Sequence, residues 1–128
     1  RLEIVVAGGL GIYRRQIHFS LLAGALSVGA KPQRLPNVSG GTLTILQVRL
    51  DVNTAPGGAA LVVDVHKNGA TIFSTPANRP QVASGAYAGS SSTVDVAAWG
   101  DGEVLTCDVD QVGSVTPGSD LTVTVVCA

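Results

Sequence analysis

Two pairs of polar side chains stand two residues apart in this sequence: Asp64 with His66, and Asp108 with Asp110. At that spacing both members of a pair project from one face of a β-strand. Two carboxylates so placed can hold calcium or divide general-acid and general-base work between them. The same pattern also arises wherever a strand keeps its solvent face soluble, and on that reading there is no metal site. The turn Asp101-Gly102-Glu103 lacks the remaining ligands of an EF-hand loop. Cys107 and Cys127 fall on the apolar faces of two neighbouring predicted strands, where they either bridge or fill the core as small hydrophobes. An inward-facing thiol cannot meet a substrate, which speaks against Cys–His catalysis. His18 lies on the polar side of its predicted strand, a surface or interface position rather than a ligand position.

Other chemistries are missing their parts. Ser90, Ser91 and Ser92 do not sit in a G-x-S-x-G elbow. Gly8-Gly9-Leu10-Gly11 is not followed by the Lys-Ser/Thr pair of a phosphate loop. Trp99, the one tryptophan, precedes a turn; its ring either stacks on a sugar or a neighbouring subunit or packs half-buried against its own loop. The candidates for ligand or interface contact are therefore Trp99, His66 and Asp64. No catalytic set, metal site or cofactor is assigned, and the sequence reads as a non-enzyme.

The elements that must carry these residues are strands. Gln47, Arg49 and Asp51 alternate with Leu46, Val48, Leu50 and Val52, the period of a half-buried strand. Leu61, Val63 and Val65 form a second apolar face, opposite Asp64 and His66. Asn68-Gly69 follows at once, a pair that accepts positive φ at both positions and so predicts a tight hairpin into a return strand over residues 70–75. Pro76 and Pro80 break that strand, and an edge or bent strand begins near Gln81. Residues 85–92 read as a loop and residues 93–98 as a strand. In residues 103–112 Leu105, Cys107 and Val109 alternate with polar partners, and Leu121, Val123, Val125 and Cys127 share the face of a last strand. Upstream, residues 2–7 and 13–22 read as short strands, and residues 30–41, with Pro32 and Pro36, as an irregular crossover. Six or more strands at this spacing predict an all-β sandwich or barrel.

A chain of 128 residues is the size of one domain. Hydrophobic residues make up 45% of it, aromatic residues only 4% and charged residues 13%, well under the usual quarter. So little charge points to surface that is buried against other subunits. The net charge of −1 argues against nucleic acid as a partner. It is unevenly spread: Arg1, Arg14, Arg15, Lys31 and Arg34 face only Glu3 in residues 1–40, whereas the rest of the chain is acidic. A basic arm on an acidic body is one reading and scattered solvated charge the other. The sequence has no methionine and begins at Arg1, as a processed or trimmed chain would. No apolar run reaches the ~18 residues of a membrane span, so a soluble protein is expected.

Residues 35–126, roughly 70% of the chain, resemble a jelly-roll domain of tailed-bacteriophage structural proteins, found in tail fibres, tail tips and head decorations. The likeness is carried by Thr54-Ala55-Pro56-Gly57-Gly58, by Leu61-Val62-Val63-Asp64-Val65-His66-Lys67-Asn68-Gly69 and by Thr71-Ile72-Phe73-Ser74-Thr75. It continues through Asn78-Arg79-Pro80, Gly100-Asp101 before Val104-Leu105-Thr106, Asp108-Val109-Asp110-Gln111-Val112-Gly113-Ser114, and Pro117-Gly118-Ser119-Asp120-Leu121-Thr122-Val123-Thr124. The resemblance implies an antiparallel two-sheet jelly roll and a place in the virion, with assembly in the bacterial cytoplasm. It also implies where an arm would end, with an arm over residues 1–34 and a β-sandwich over residues 35–128, and it implies a homotrimer and contacts with other virion proteins. It implies no enzyme and does not require Cys107 or Cys127. The function expected is a structural subunit, a capsid decoration or tail component. The alternative is a tail-tip or fibre module that binds a host surface glycan through residues 85–92 and 99–102.

Overall fold

The computed structural model describes the backbone of residues 15–128 and the side chains from residue 23 onward. The strands expected over residues 2–7, and the His18 side chain, lie outside the described residues.

Two antiparallel sheets pack face to face. The first has the order β1 (Arg15–Ala25), β11 (Ser119–Cys127), β4 (Leu43–Asp51), β8 (Ala88–Ser91), with β9 (Ala98–Trp99) also pairing with β4. The second runs β2 (Gly29–Ala30), β10 (Val104–Gln111), β5 (Leu61–Lys67), β6 (Ala70–Thr71), with β3 (Leu35–Pro36) also on β10 and β7 (Gln81–Val82) also on β5. Each short pair, β2 with β3, β6 with β7 and β8 with β9, lies along one edge of a single neighbour and acts as one interrupted strand. Merged in this way, the strands cross between sheets at every connection except the β5–β6 hairpin, the double Greek-key order of a jelly roll.

The core lies between the sheets. Val48, Leu50, Leu121, Val123, Val125 and Cys127 of the first sheet meet Leu61, Val63, Val65, Leu105, Cys107 and Val109 of the second, all essentially inaccessible to solvent. These are the alternating faces that the sequence predicts, because successive strand side chains point to opposite sides. The Asn68-Gly69 hairpin also forms as expected, with φ of 49° and 87° at the two turn residues.

Four expectations are revised. Between Ile45 and Gln47 the register slips against β11, so Leu46 turns outward and Ile45, rather than Leu46, joins the core. Residues 88–91, expected in a loop, form edge strand β8: Gly89 has no Cβ, and one built there would stand 1.6 Å from the Gln81 carbonyl oxygen. Its partner segment, residues 93–98, is mostly irregular and regains strand geometry only at Ala98. The arm boundary at residue 34 does not divide the fold. Arg15–Ala25 pairs along almost all of β11, and Gly29–Ala30 joins the other sheet, so the sandwich already includes residues 15–34.

Connections gather at two ends. Residues 26–28, 52–60, 83–87 and 112–118 meet at one; residues 37–42, 68–69 and 100–103 meet at the other. At the first end main-chain hydrogen bonds tie loop to loop: Leu26 N donates to Gly118 O, Gly57 N to Thr116 O, Val115 N to Gly57 O and Gly85 N to Pro56 O.

Candidate functional site

Asp64 and Asp108 are directly opposed on β5 and β10. Like charges in that position repel, and the structure surrounds them with donors. Asp64, on the outward face, is nonetheless buried, at 2% exposure. Its Oδ1 accepts from the Thr71 hydroxyl at 2.6 Å and from the Val65 N–H at 2.8 Å. Its Oδ2 lies 3.1 Å from His66 Nε2 and 3.4 Å from Arg79 Nη2. The other ring nitrogen of His66, Nδ1, lies 3.3 Å from Asp108 Oδ2. The ring thus stands between the two carboxylates. Arg79 reaches on to Asp110, donating from Nη1 to Oδ2 at 2.9 Å.

The local sequence explains the convergence. The tight Asn68-Gly69 turn brings Thr71 back beside His66. The 3-10 turn Pro76–Asn78 then changes the chain direction so that Arg79 lies over the outer face of β5 and β10. The result is a clamp across three strands and a loop. Both oxygens of Asp64 have protein partners: Oδ1 accepts two hydrogen bonds, and Oδ2 is paired with His66 and Arg79. Among the described residues no group of three His, Cys, Asp or Glu is disposed to hold a metal ion.

The sequence candidates are thus sorted by the fold. Asp64 and His66 come together with Asp108 and, through Arg79, with Asp110. Trp99 does not join them. It is completely buried, its indole N–H donates to the Glu103 carbonyl at 2.8 Å, and its own carbonyl accepts from Asn37 Nδ2 at 2.8 Å. A ring with no exposed face cannot stack on a glycan, so as a contact residue Trp99 is corrected to a core residue. The adjoining turn is also tied down: Gly102 N donates to Asn37 O and Gly40 N to Asp101 Oδ1.

Cys107 and Cys127 are both buried, and they lie in opposite sheets rather than on neighbouring strands. Cys107 is pushed far above the usual thiol range, first by burial and then by the nearby Asp108 and Asp64 carboxylates.

Arg79 and Thr71 are the members of the network that pattern reading missed. A cation between two prolines in a chain with only eight Lys and Arg was the available signal.

No protein-family model matches the chain, and no curated protein matches it. Among solved structures the chain is similar to one in the capsid of Ralstonia phage GP4, at 14% identity and a TM-score of 0.49, covering 100% of this chain and 90% of that one. It is also similar to one in the virus-like particle of the extra small virus of the giant freshwater prawn Macrobrachium rosenbergii, at 12% identity and a TM-score of 0.43, covering 99% and 84%. Both are distant likenesses, below the level at which residues or roles transfer.

Proposed function

We propose that this protein is a non-enzymatic structural subunit of a bacteriophage virion, a capsid decoration or tail component that works as a homo-oligomer. The observation that carries this reading is a coincidence of sequence and topology. The segments that resemble phage jelly-roll domains fall in the same order along the double Greek key: β5 with its Asn68-Gly69 turn, the end of β10 with the loop after it, and the entry into β11. The polar cluster on the outer face supports the same reading, because its carboxylates are consumed in holding strands together. In this reading the partners are other copies of the chain, as a trimer, and neighbouring virion proteins. The basic N-terminal segment supplies attachment. Since β1 belongs to a sheet, the truncation that tests attachment must stop at residue 14.

Quantitative mass spectrometry of purified particles tests the function. Hundreds of copies per virion fit a subunit of the capsid lattice or tail tube, and a few copies in multiples of three fit a tail-tip or fibre part. Absence from the particle refutes the proposal. Glycan binding at a host surface remains the second reading, now without Trp99, and no specific contact in the fold favours it.

A further inference from the structure

Edge strands present unpaired main-chain groups that other chains can join, so folds keep them short or interrupted. Most edges of this sandwich follow that rule among the described residues. β2, β3, β6, β7 and β9 are two residues each, and β8 is four. β3 carries Pro36, and β8 leans on β7 where Gly89 meets the Gln81 main chain. The long edge is β1, with eleven residues; among the described residues it pairs only with β11. Its later half is interrupted. The register shifts after Ser20 and again after Leu22, Gly24 has a φ of 92°, and the Gly24 N–H donates to the Asp120 carboxylate. Its earlier half is a regular ladder from Arg15 to Ser20. In an antiparallel ladder alternate residues direct N–H and C=O away from the partner. Half of this stretch therefore offers its main-chain groups to whatever lies outside β1.

The sequence just upstream has the pattern to accept them. Leu2, Ile4 and Val6 alternate with Glu3 and Val5, the period of a strand with one apolar side. Laid antiparallel on β1 with Ile4 opposite Ile17, this segment sets Leu2 opposite Phe19 and Val6 opposite Arg15. Ile17 and Phe19 are themselves opposite Val125 and Val123, two core residues of β11. The segment thus continues two apolar rows across the sheet, while Glu3 falls opposite His18. A slip of one residue in either direction would put Glu3 opposite Ile17 or Phe19, which selects this register.

We propose that residues 2–6 form a capping strand on the open edge of β1 in the same chain and so keep other chains off that edge. The link, residues 7–14, contains Gly8, Gly9 and Gly11. It needs to span only the ~4.8 Å between neighbouring strands. A short flexible link holds the segment beside its edge at an effective concentration on the order of millimolar. The same segment from another copy, at lower concentration, cannot compete with it. The outer edge that results is short and carries Glu3 in its middle, a charge that discourages a further strand.

Amide hydrogen exchange of the full chain, read residue by residue by NMR, tests the cap. Consecutive amides over residues 15–19 should be protected, because β11 bonds one alternate set and the cap the other. Ile4→Pro removes a donor from the cap and disfavours its strand. It should lower protection of the outward set alone by roughly tenfold or more, with β5 and β10 unchanged. A second measurement is independent of that variant: oxidation of Glu3→Cys/His18→Cys should give a disulfide within one chain, seen by mass spectrometry at the monomer mass. Alternating protection in the wild type, or the absence of any cross-link, overturns the cap. Disulfide-linked dimers would mean that copies exchange the segment, and would overturn its assignment to the same chain.

Discussion

Replacing Arg79 by alanine should destabilise this protein by about 2 kcal/mol, and the size of that loss tests whether the outer-face clamp is structural. Arg79 contacts two carboxylates in very different settings. The Asp64 side chain is 3% exposed, whereas that of Asp110 is 30% exposed. Removing one partner of a buried ion pair costs about 3–5 kcal/mol because the remaining charge is left uncompensated. Asp64 keeps His66, Thr71 and the Val65 N–H, so we take about half of that figure. The exposed Asp110 contact adds under ~0.5 kcal/mol. With an m-value near ~1.5 kcal/mol/M, the urea midpoint should fall by about 1.3 M at unchanged slope, measured at one fixed protein concentration so that association does not intrude. The decisive comparison is a double-mutant cycle with Asp64→Asn, which removes the buried charge. In that background Arg79→Ala should cost less than ~1 kcal/mol. A loss under ~0.5 kcal/mol in the wild-type background, or the same loss in both, would refute the account.

Other parts of the fold make equally direct predictions. Cys107 keeps its proton in the folded state and releases it on unfolding once the pH exceeds the ordinary thiol range. The unfolded chain then binds fewer protons, so stability should decline above about pH 9. Cys107→Ala should flatten that decline, and native protein at pH 8 should resist iodoacetamide; full labelling without unfolding would contradict the buried site. Gly89→Ala places a methyl against the Gln81 main chain and should abolish soluble folded protein. Gly41→Ala, at a position with open space around it, should melt within a few degrees of the wild type. Trp99 should emit at short wavelength, resist acrylamide quenching and ignore added cell-wall sugars, and quenching comparable to free indole would put its ring back on the surface.

Much of the fold was legible because period-two alternation is written directly into β5, β10 and β11, and because Asn68-Gly69 admits only a narrow set of turns. What the sequence hid has physical causes. The bulge at Leu46 depends on register against a strand more than 70 residues later, which no local pattern encodes. β8 was missed because Ala-Gly-Ser-Ser has the composition of a loop; its strand geometry comes from pairing with β4 and from the close approach that Gly89 permits. β1 and β2 were placed in an arm because the resemblance begins at residue 35, and resemblance in sequence does not mark where a sheet closes. At the polar cluster the spacing correctly put Asp64 and His66 on one face. Their partners come from β10 and from the residue after a 3-10 turn, and such contacts between distant segments appear only once the sheet has formed. Trp99 was misplaced because a tryptophan beside a turn can face either way, and only its bond to Glu103 fixes it inward.

The position of β11 bears on how the chain acquires this structure. It lies between β1 and β4, pairing Arg15 with Cys127 at one edge and Leu50 with Val123 at the other. The centre of the first sheet is therefore the last of these strands to leave the ribosome, and until it arrives β1 and β4 have no neighbour in common. Pairings across such long sequence separations form slowly, because the intervening chain must be ordered before any contact rewards it. During synthesis the edges of β1 and β4 stay open to unintended pairing with other nascent copies. Folding speed, and losses to aggregation at high expression, should thus be governed by the docking of β11 more than by the early β5–β6 hairpin.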